Sequence, residues 1–400
     1  MNLQLLIVRL SLLVINKTNL ILRKTLGHQN KILKTKLNDF NWYTIMSKIK
    51  VGIIGTGFGS KVHLPAFTDH TDFEPVVICG RNSEKGTKIA QDYNINFTTD
   101  WKGVVKDPNI DLIAITTPPY FHYEMAKESF KHNKSILLEK PTTNTAKEAQ
   151  KLFRMADEQN LIGLMAHEFR WEPSRQVVKK LLDEGFIGIP KEVSFYYHQN
   201  FASSSEKPPY GWLFDAKYDG GLLGASASHY VDLARYLIGS ELTDVMGKVF
   251  TRVPLRKDRE GNMQKVTADD GYFIQGTFEN HATLLVNYSS TNTHSLPAKL
   301  IFSGDEGTIY IEGSDVFGAK KGEEFSKIQI KKEFELDTTL QEKDVRIPPF
   351  LKLLDQLSRS LKEKTSLTPS FYDGWRNQQV LDAVRQSQYL GSKISITNYS

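Results

Sequence analysis

Cysteine is almost absent from this sequence: Cys79 is the only thiol in 400 residues. A single cysteine excludes an internal disulfide and any zinc site built from several thiolates, and we expect no metal centre. No charge of one sign dominates, because 51 basic residues face 46 acidic ones. That balance argues against a nucleic-acid or membrane partner. The composition is that of a globular protein, and the length suffices for two domains.

Acidic residues are nearly missing from the first 45 positions. This segment holds seven Lys and Arg residues against the single acid Asp39, and Arg9 interrupts its apolar run before the run can span a bilayer. Three explanations stay open: translation starts at Met46, the segment is a cleaved organelle-targeting peptide, or it is a membrane anchor. Each places residues 1–45 outside the fold. We expect the rest of the chain in the cytoplasm, unless the segment targets it to an organelle.

Short apolar strands alternate with helices from residue 46 to residue 166. Strands are expected at 51–54, 74–79, 111–116, 135–138 and 161–166. The run at 111–116 shows no polar alternation, as expected for a strand that is covered on both faces. The pattern predicts an α/β domain with a parallel, doubly wound sheet.

Residues 167–400 have a different pattern. Strands follow one another with hairpin spacing at 245–249, 271–278, 282–288, 298–302 and 308–312. This order predicts an α+β domain with an open, mainly antiparallel sheet. A helix is predicted over 372–390, where Val380, Ala383, Val384 and Ser387 share one face.

A glycine-rich turn follows the first strand and begins the first helix. It consists of Gly55, Thr56, Gly57, Phe58, Gly59 and Ser60, a near match to G-x-G-x-x-G with serine replacing the third glycine. Gly55 can form the tight turn, and Gly57 lets a pyrophosphate approach the backbone, where the helix start would hold it. The strand-turn-helix setting predicts a dinucleotide site, with a plain structural turn as the alternative.

The end of the second strand, which reads the adenosine ribose in such a site, carries no acid. Gly80 is followed there by Arg81, which can pair with a phosphate. Further donors lie nearby: Asn82, Ser83 and Lys85. A small residue followed by arginine accommodates the 2′-phosphate of NADP, whereas an acid binds the 2′-hydroxyl of NAD. We therefore predict NADP as the cofactor, with NAD as the second option; an ordinary solvated turn is the alternative reading of these residues.

Two further motifs follow parallel strands, at the edge where open α/β sheets place ligands. The first contains Thr117, Pro118 and His122, and the second contains Glu139 and Lys140. Lys140 could hydrogen-bond a ribose and a reacting hydroxyl and serve as an acid or base. His122 fits a ligand contact and a satisfied helix-start histidine equally well.

The loop at 199–221 is rich in aromatic side chains. These are Phe201, Tyr210, Trp212, Phe214 and Tyr218. Aromatic rings could stack on a sugar ring, and Tyr210 or Trp212 could donate a directional hydrogen bond to a substrate. Packing in the core or at an interface is the alternative for most of them.

Taken together, these motifs resemble the Gfo/Idh/MocA oxidoreductases over residues 47–396. Glu139-Lys140-Pro141, in register with the glycine turn, is the most specific of them. The other motifs are His63 and Pro65 after the turn, Thr-Pro-Pro-x-x-His ending at His122, His167-Glu-Phe-Arg170-Trp, Gly220-Gly221-x-Leu-x-Gly-Ala-Ser-Ala-Ser-His229-x-x-Asp232, Gly304-x-x-Gly307 and Asp373-Gly374.

The resemblance implies an N-terminal Rossmann domain, a C-terminal domain with an open antiparallel sheet, and metal-free hydride transfer between a nicotinamide cofactor and a small substrate. Sugars, polyols and related hydroxy or keto compounds are the typical substrates. Lys140 matches the family lysine that contacts cofactor and substrate, and Glu139 matches its neighbour near the nicotinamide ribose. Arg170 is assigned to the cofactor. His229 matches the histidine that exchanges a proton with the substrate, a task suited to its near-neutral pKa.

The resemblance has two further implications. The peptide before Pro141 is often cis in relatives, and relatives commonly pair as dimers or tetramers through the exposed face of the C-terminal sheet. One departure matters: many members carry an aspartate four residues before the histidine, where this chain has Ala225. Asp232, three residues after the histidine, is usually structural in relatives.

The leading hypothesis is an NADP(H)-dependent oxidoreductase that acts on a sugar-like or other small hydroxy or carbonyl substrate. The alternative is a non-catalytic dinucleotide-binding sensor on the same fold, which the missing acid at Ala225 favours and which Lys140 and His229 oppose. A third option is a glycoside-cleaving enzyme that uses a tightly held NAD in a redox cycle; Arg81 disfavours it.

Overall fold

The first sheet of the molecule consists of parallel strands. The computed structural model describes residues 48–396, so the predictions for residues 1–45 lie outside the described residues. The strands are β1 (Ile49–Ile54), β2 (Phe73–Cys79), β3 (Asn96–Thr98), β4 (Leu112–Ile115), β5 (Ser135–Leu138) and β6 (Gly163–Met165). They lie in the order β3-β2-β1-β4-β5-β6 with every pair parallel, which confirms the predicted doubly wound sheet.

Helices cover both faces of this sheet. They are α1 (Leu64–Asp69), α2 (Ser83–Tyr93), α3 (Trp101–Lys106), α4 (His122–Lys131) and α5 (Ala146–Glu158). All four residues of β4 are fully buried, as its unbroken apolar run predicted. Because the strands are parallel, their carboxyl ends and the loops that follow them meet at one edge of the sheet.

The second sheet is mixed and mostly antiparallel. Its strands are β7 (Pro190–His198), β8 (Leu242–Phe250), β11 (Gly271–Phe278), β12 (Thr283–Ser289), β13 (Lys299–Gly304), β14 (Gly307–Glu312), β15 (Asp315–Lys320), β16 (Ser326–Ile328) and β17 (Ile394–Ser395). A separate hairpin joins β9 (Leu255–Lys257) and β10 (Met263–Lys265). The sheet order is β16-β15-β14-β13-β7-β12-β11-β8-β17, and only β7 and β12 pair in parallel.

Side chains along this second sheet alternate between a buried and an open face. In β11, Tyr272, Ile274 and Phe278 are buried, whereas the intervening Phe273 and Gln275 are not. The later helices are α6 (Pro173–Asp183), α7 (Ser228–Ile238), α8 (Ile347–Glu363) and α9 (Phe371–Leu390). Residues of α6, α7 and α9 share one hydrophobic core with the buried face. The four residues predicted to share a face of the 372–390 helix are all buried, which confirms that helix.

Helix α8 returns from the C-terminal part of the chain to the first sheet. Phe350, Leu354 and Leu357 pack in the same core as Val62 and Phe67, beside the helix that follows the glycine turn. The predicted division at residue 166/167 therefore does not describe the packing of α8, and no helix was predicted there. Two prolines stand in its first turn, where a missing N–H leaves no helical hydrogen bond unmade.

Within residues 48–396, none of the helices combines the length and the hydropathy that crossing a membrane requires.

Candidate active site

The glycine turn lies at the carboxyl end of β1, and its first glycine is fixed by the backbone. Gly55 has φ +127°, and its N–H donates to the carbonyl of Cys79 at the end of β2, 2.8 Å away. A Cβ at Gly55 would lie 2.3 Å from Thr116 Oγ1. Only glycine combines that φ with so close a neighbour. Gly55 thus joins the ends of β1, β2 and β4.

Gly57 has a different environment from Gly55 in the same turn. Within residues 48–396, and apart from its two chain neighbours, no atom lies within 4 Å of the position that its Cβ would take, so the turn is open there. A π-helical turn, Gly59–His63, follows and continues into α1. Ser60 Oγ donates to the carbonyl of Thr56, 2.9 Å away, so serine is accommodated in the third glycine position. An open cradle next to unpaired helix-start N–H groups fits the pyrophosphate of a dinucleotide.

After β2, Asn82 and Lys85 make internal hydrogen bonds, whereas Arg81 makes none within residues 48–396. Asn82 Oδ1 accepts from the backbone N–H of Lys85 at 2.8 Å, which caps α2, a helix that begins at Ser83. Lys85 Nζ donates to the carbonyl of Thr56, 2.8 Å away, and so ties this loop to the glycine turn. Arg81 is exposed and makes no hydrogen bond or ion pair within residues 48–396. Arg81 is thus free to pair with a phosphate.

His122 is a buried connector between two strand-end loops. Its Nδ1 lies 2.9 Å from the carbonyl of Pro141, and its Nε2 lies 2.8 Å from the carbonyl of Thr117. Burial lowers the pKa of His122 and outweighs the hydrogen bonds to these carbonyls. Both ring nitrogens face carbonyls in the interior, so His122 links the two loops, and this geometry favours the alternative of a satisfied histidine.

Glu139, at the end of β5, is held by a histidine from the first helix. His63 Nε2 lies 2.7 Å from Glu139 Oε1, and both side chains are buried. Burial by itself would raise the pKa of Glu139, but the hydrogen bond and charge of His63, with the charge of Lys140, hold that pKa below its usual value. The carboxylate therefore stays ionised and fixed beside Lys140.

Lys140 reaches across to the C-terminal domain. Its Nζ donates to the backbone carbonyl of Ala225, 2.9 Å away, and the peptide between Lys140 and Pro141 is cis, as the resemblance implied. Ala225 stands where many relatives have an aspartate. The Ala225 carbonyl accepts the hydrogen bond from Lys140 that an aspartate side chain could otherwise accept. This carbonyl lies in the turn that leads into α7.

His229 is the second residue of α7, four residues after that carbonyl. Its ring is 5% exposed and stacks on Phe169, with centroids 3.9 Å apart and planes 12° apart. Within residues 48–396, its Nδ1 is buried without a hydrogen-bond partner. Burial, reinforced by the positive charge of Lys140, lowers the pKa of His229 well below the ordinary value. The imidazole is therefore neutral at physiological pH, and its lowered pKa makes it a weaker base than the near-neutral histidine that the sequence suggested.

Four buried tyrosines lie together near the start of α7, and we call this cluster the tyrosine floor: Tyr197, Tyr230, Tyr272 and Tyr288. Tyr272 and Tyr288 stack at 5.2 Å, and Tyr197 and Tyr230 stack at 4.0 Å. The Tyr272 hydroxyl lies 3.0 Å from Ser226 Oγ, one residue beyond the carbonyl that binds Lys140. Sequence reasoning missed these residues, although the alternation in β11 and β12 placed Tyr272 and Tyr288 on the inward face.

The loop after β6 holds a second missed residue, Glu168. This side chain is 1% exposed, and burial together with the negative charge of Glu139 raises its pKa to about 8. Its Oε2 has no hydrogen-bond partner in the described part of the chain. Glu168 is therefore a mostly protonated acid at neutral pH, within electrostatic reach of Glu139 and Lys140. A glutamate two residues before the predicted Arg170 was the signal available in the sequence.

Arg170 requires a correction. Its Nε and Nη2 donate to both oxygens of Asp232 at 2.7 Å and 2.5 Å, and Nη2 also donates to Asp373 at 3.1 Å. The side chain is 1% exposed. Buried and bonded to Asp232, Asp373 and Thr368, Arg170 is engaged in internal pairs in this structure. These contacts join the short segment Glu168–Trp171 to α7 and to the start of α9.

The two predicted substrate residues of the aromatic loop, Tyr210 and Trp212, differ in how far they are exposed. Tyr210 packs in a small cluster with Ala202, Phe214 and Val266, which supports the packing alternative for this ring. Trp212 is 42% exposed. The ring of Tyr218 meets Tyr120 edge-on at 6.3 Å, so the loop also contacts the strand-end segment after β4.

Comparisons with known proteins agree with this geometry. Residues 49–167 match a family model described as an oxidoreductase family with an NAD-binding Rossmann fold, and residues 176–310 match the GFO/IDH/MocA C-terminal domain. Levoglucosan dehydrogenase of Pseudarthrobacter phenanthrenivorans is 30% identical over 289 residues, which cover 66% of this chain and 73% of that protein. An uncharacterised oxidoreductase of Synechocystis is 27% identical, with 85% and 94% covered. A structure of levoglucosan dehydrogenase with NADH and L-sorbose superimposes with a TM-score of 0.78 at 25% identity, covering 87% of this chain and 99% of that one.

Proposed function

This chain belongs to the Gfo/Idh/MocA oxidoreductase family, and we propose that it is an NADP(H)-dependent dehydrogenase of a sugar-like substrate. The observation that carries the proposal is the bond from Lys140 to the carbonyl of Ala225. It brings an ammonium from the end of β5 to the turn that leads to the neutral His229. The pair lies between the carboxyl edge of the dinucleotide sheet and the tyrosine floor.

The proposed reaction uses each group for one task. When bound, the nicotinamide cofactor supplies or accepts the hydride. The ammonium of Lys140 donates a hydrogen bond to the substrate oxygen and stabilises negative charge that develops there. In the oxidative direction the neutral imidazole of His229 accepts the hydroxyl proton as the C–H bond breaks and the C=O bond forms. In the reductive direction the same imidazole returns the proton.

The preference for NADP rests on Arg81. It is the exposed, unpaired cation after β2, and no acid stands at that strand end to bind a free 2′-hydroxyl. A guanidinium suits a phosphate because it donates two parallel hydrogen bonds.

Two observations support a polyhydroxylated substrate. Phenol hydroxyls and Ser226 provide several hydrogen-bonding groups close to the turn that holds Lys140. Burial raises the pKa of Tyr230 and of Tyr272 well above the ordinary value, so both phenols stay protonated and can donate. Relatives include dehydrogenases named for levoglucosan and D-xylose. Small non-sugar hydroxy or keto compounds are the alternative substrates, and they are tested as a second set.

A substrate screen with both cofactors tests the proposal. Aldoses, anhydrosugars, polyols and simple keto compounds are incubated with NAD or NADP, and the nicotinamide absorbance is followed. We expect turnover with a cyclic or linear sugar derivative and a lower KM for NADP. Arg81→Ala should raise the KM for NADP about tenfold or more and leave that for NAD unchanged, while Lys88→Ala on the exposed side of α2 serves as the control. Equal KM values for the two cofactors in the native protein would refute the NADP preference.

The second candidate, a dinucleotide sensor without catalysis, is favoured by Ala225 in place of the aspartate. It predicts dinucleotide binding without turnover of any compound in the screen. A cellular role that survives Lys140→Ala and His229→Ala would support the sensor and overturn the enzyme.

We also propose a homodimer or homotetramer formed through the open face of the second sheet. Four apolar or aromatic side chains lie there in a row across neighbouring strands: Leu285, Ile301, Tyr310 and Phe317. They are only partly buried, and covering such a row from water favours association. Light scattering should give twice or four times the chain mass, and Tyr310→Lys should lower it; a monomer at micromolar concentration would refute the interface.

A further inference from the structure

Arg346 belongs to the C-terminal part of the chain but lies on the glycine turn. Its guanidinium is 4.6 Å from the centre of the Phe58 ring. The contact follows from the return of α8, because Phe350 in the first turn of that helix meets the His63 ring at 4.4 Å. The glycine turn is thus bordered by a cation that its own domain does not provide.

The orientation of this cation is fixed. Arg346 Nε and Nη2 donate to the two oxygens of Asp344 at 2.7 Å and 2.6 Å. The Phe58 ring supports the guanidinium by a cation–π contact, 4.6 Å from its central carbon. Its Nη1 makes no hydrogen bond within residues 48–396, and the side chain is 40% exposed. Arg346 is therefore a held cation with free donors directed to solvent.

The charges around Arg346 locate it between the two strand ends of the site. It interacts electrostatically with Glu139 at the end of β5 and with Glu168 after β6. It also contacts the turn at the end of β1 through Phe58. A dinucleotide that runs from the glycine turn toward Glu139 and Lys140 would pass this position, with its pyrophosphate nearest the turn.

We propose that Arg346 binds the pyrophosphate of the dinucleotide at the glycine turn, from the edge where it contacts Phe58. The inference rests on the proposed function, since it concerns the same cofactor. Phosphate oxygens are the preferred acceptors of a guanidinium fork. The backbone N–H groups of the turn and the C-terminal cation then hold one anion between them. Unlike Arg81, Arg346 does not distinguish NAD from NADP, because both carry the same pyrophosphate.

Direct binding measurements test the inference without any turnover. The dissociation constants of NADH and NADPH are measured by fluorescence for the native protein, Arg346→Gln and Arg359→Gln. Arg359 is an exposed residue of the same helix that, within residues 48–396, pairs only with Glu363, so its substitution is the matched control. We expect Arg346→Gln to weaken NADH and NADPH by the same factor, about tenfold or more, and the control to bind like the native protein. ADP-ribose, which keeps the pyrophosphate and lacks the nicotinamide, should lose the same factor in calorimetry.

Each other outcome has a separate meaning. Native affinity of Arg346→Gln for both dinucleotides overturns the inference, as does a loss confined to NADPH, which would indicate a 2′-phosphate contact. A loss seen only in the substrate KM would indicate a carboxylate of the substrate and also overturns it. If Arg346→Gln does not fold, Arg346→Lys decides: it keeps the charge without the fork and should weaken both dinucleotides several-fold. A native protein that binds neither dinucleotide would overturn the proposed function itself.

Discussion

The cofactor half and the substrate half of the site differ in how far their polar groups are exposed. In the cofactor half, backbone turns and exposed donors face open space, as at Gly57 and Arg81. In the substrate half, the ionisable groups His229 and Glu168 are buried, and their pKa values move far from the ordinary ones. The first half can receive an anion at Arg81, which makes no hydrogen bond or ion pair within residues 48–396. The second half is less accessible, and burial keeps His229 neutral and Glu168 mostly protonated at neutral pH.

Substitution of His229 should give the largest difference between the effect on kcat and the effect on cofactor binding. His229→Ala removes the proton acceptor, so kcat is expected to fall about 10²- to 10⁴-fold. The dissociation constant for the dinucleotide should stay within about threefold, because the glycine turn is untouched. His132→Ala, directly after the end of α4, is the control. Steady-state kinetics together with fluorescence titration measure both quantities, and an equal loss in cofactor binding would break the distinction between the halves.

Two glycines of one turn allow the next comparison. Gly55→Val places a side chain against Thr116 at φ +127° and should destabilise the fold by about 2–4 kcal/mol. Gly57→Val fills only open space, so the free energy of unfolding should change little while the dinucleotide affinity falls about tenfold or more, because the side chain occupies the place of the pyrophosphate.

Urea unfolding without cofactor and fluorescence titration with NADPH check these two variants. A Gly57→Val protein that binds NADPH like the native chain would mean that the dinucleotide does not approach the turn there.

Glu168 gives the smallest and most specific effect. Burial and the charge of Glu139, partly offset by Lys140 and Arg346, raise its folded pKa from 4.5 to about 8. The folded protein therefore keeps a proton that the unfolded chain releases. Its contribution to stability is complete below the unfolded pKa and is lost as the pH rises toward 8, by up to about 1.4 kcal/mol per pH unit.

Glu168→Gln removes this dependence. The stability of the native protein relative to Glu168→Gln should fall as the pH rises from about 5 to 8. Urea unfolding of both proteins across that range provides the measurement, with Glu184→Gln, an exposed change on the loop after α6, as the control. Parallel pH profiles for the native protein and Glu168→Gln would show that the carboxyl titrates normally.

The cofactor half could be predicted from the sequence because the residues that form it are close together in the chain. Glycines, a strand end and Arg81 lie within short stretches, and a turn of this type needs those residues in that order. The same holds for the parallel sheet and for the strand at 271–278, where apolar periodicity determines which side is buried.

The substrate half could not be read in this way. Phe169 and Glu168 follow β6 whereas Tyr272 lies in β11, and the fold brings Phe169 against His229 and Tyr272 against Ser226. Arg170 was assigned to the cofactor by resemblance, but burial against Asp232 and Asp373 gives it internal partners. Helix α8 was missed because its partners lie at the other end of the chain and prolines begin it.

The return of α8 has a consequence for how the protein is made. The core of the first sheet contains Ile347, Phe350 and Leu353 from this helix, so residues 46–166 alone lack part of their own interior. During synthesis, the dinucleotide sheet stays exposed on that side until the second sheet and residues up to about 363 have left the ribosome. The segment that carries Arg346 arrives with this last helix. The cofactor site is therefore completed late, when nearly the whole chain has been translated.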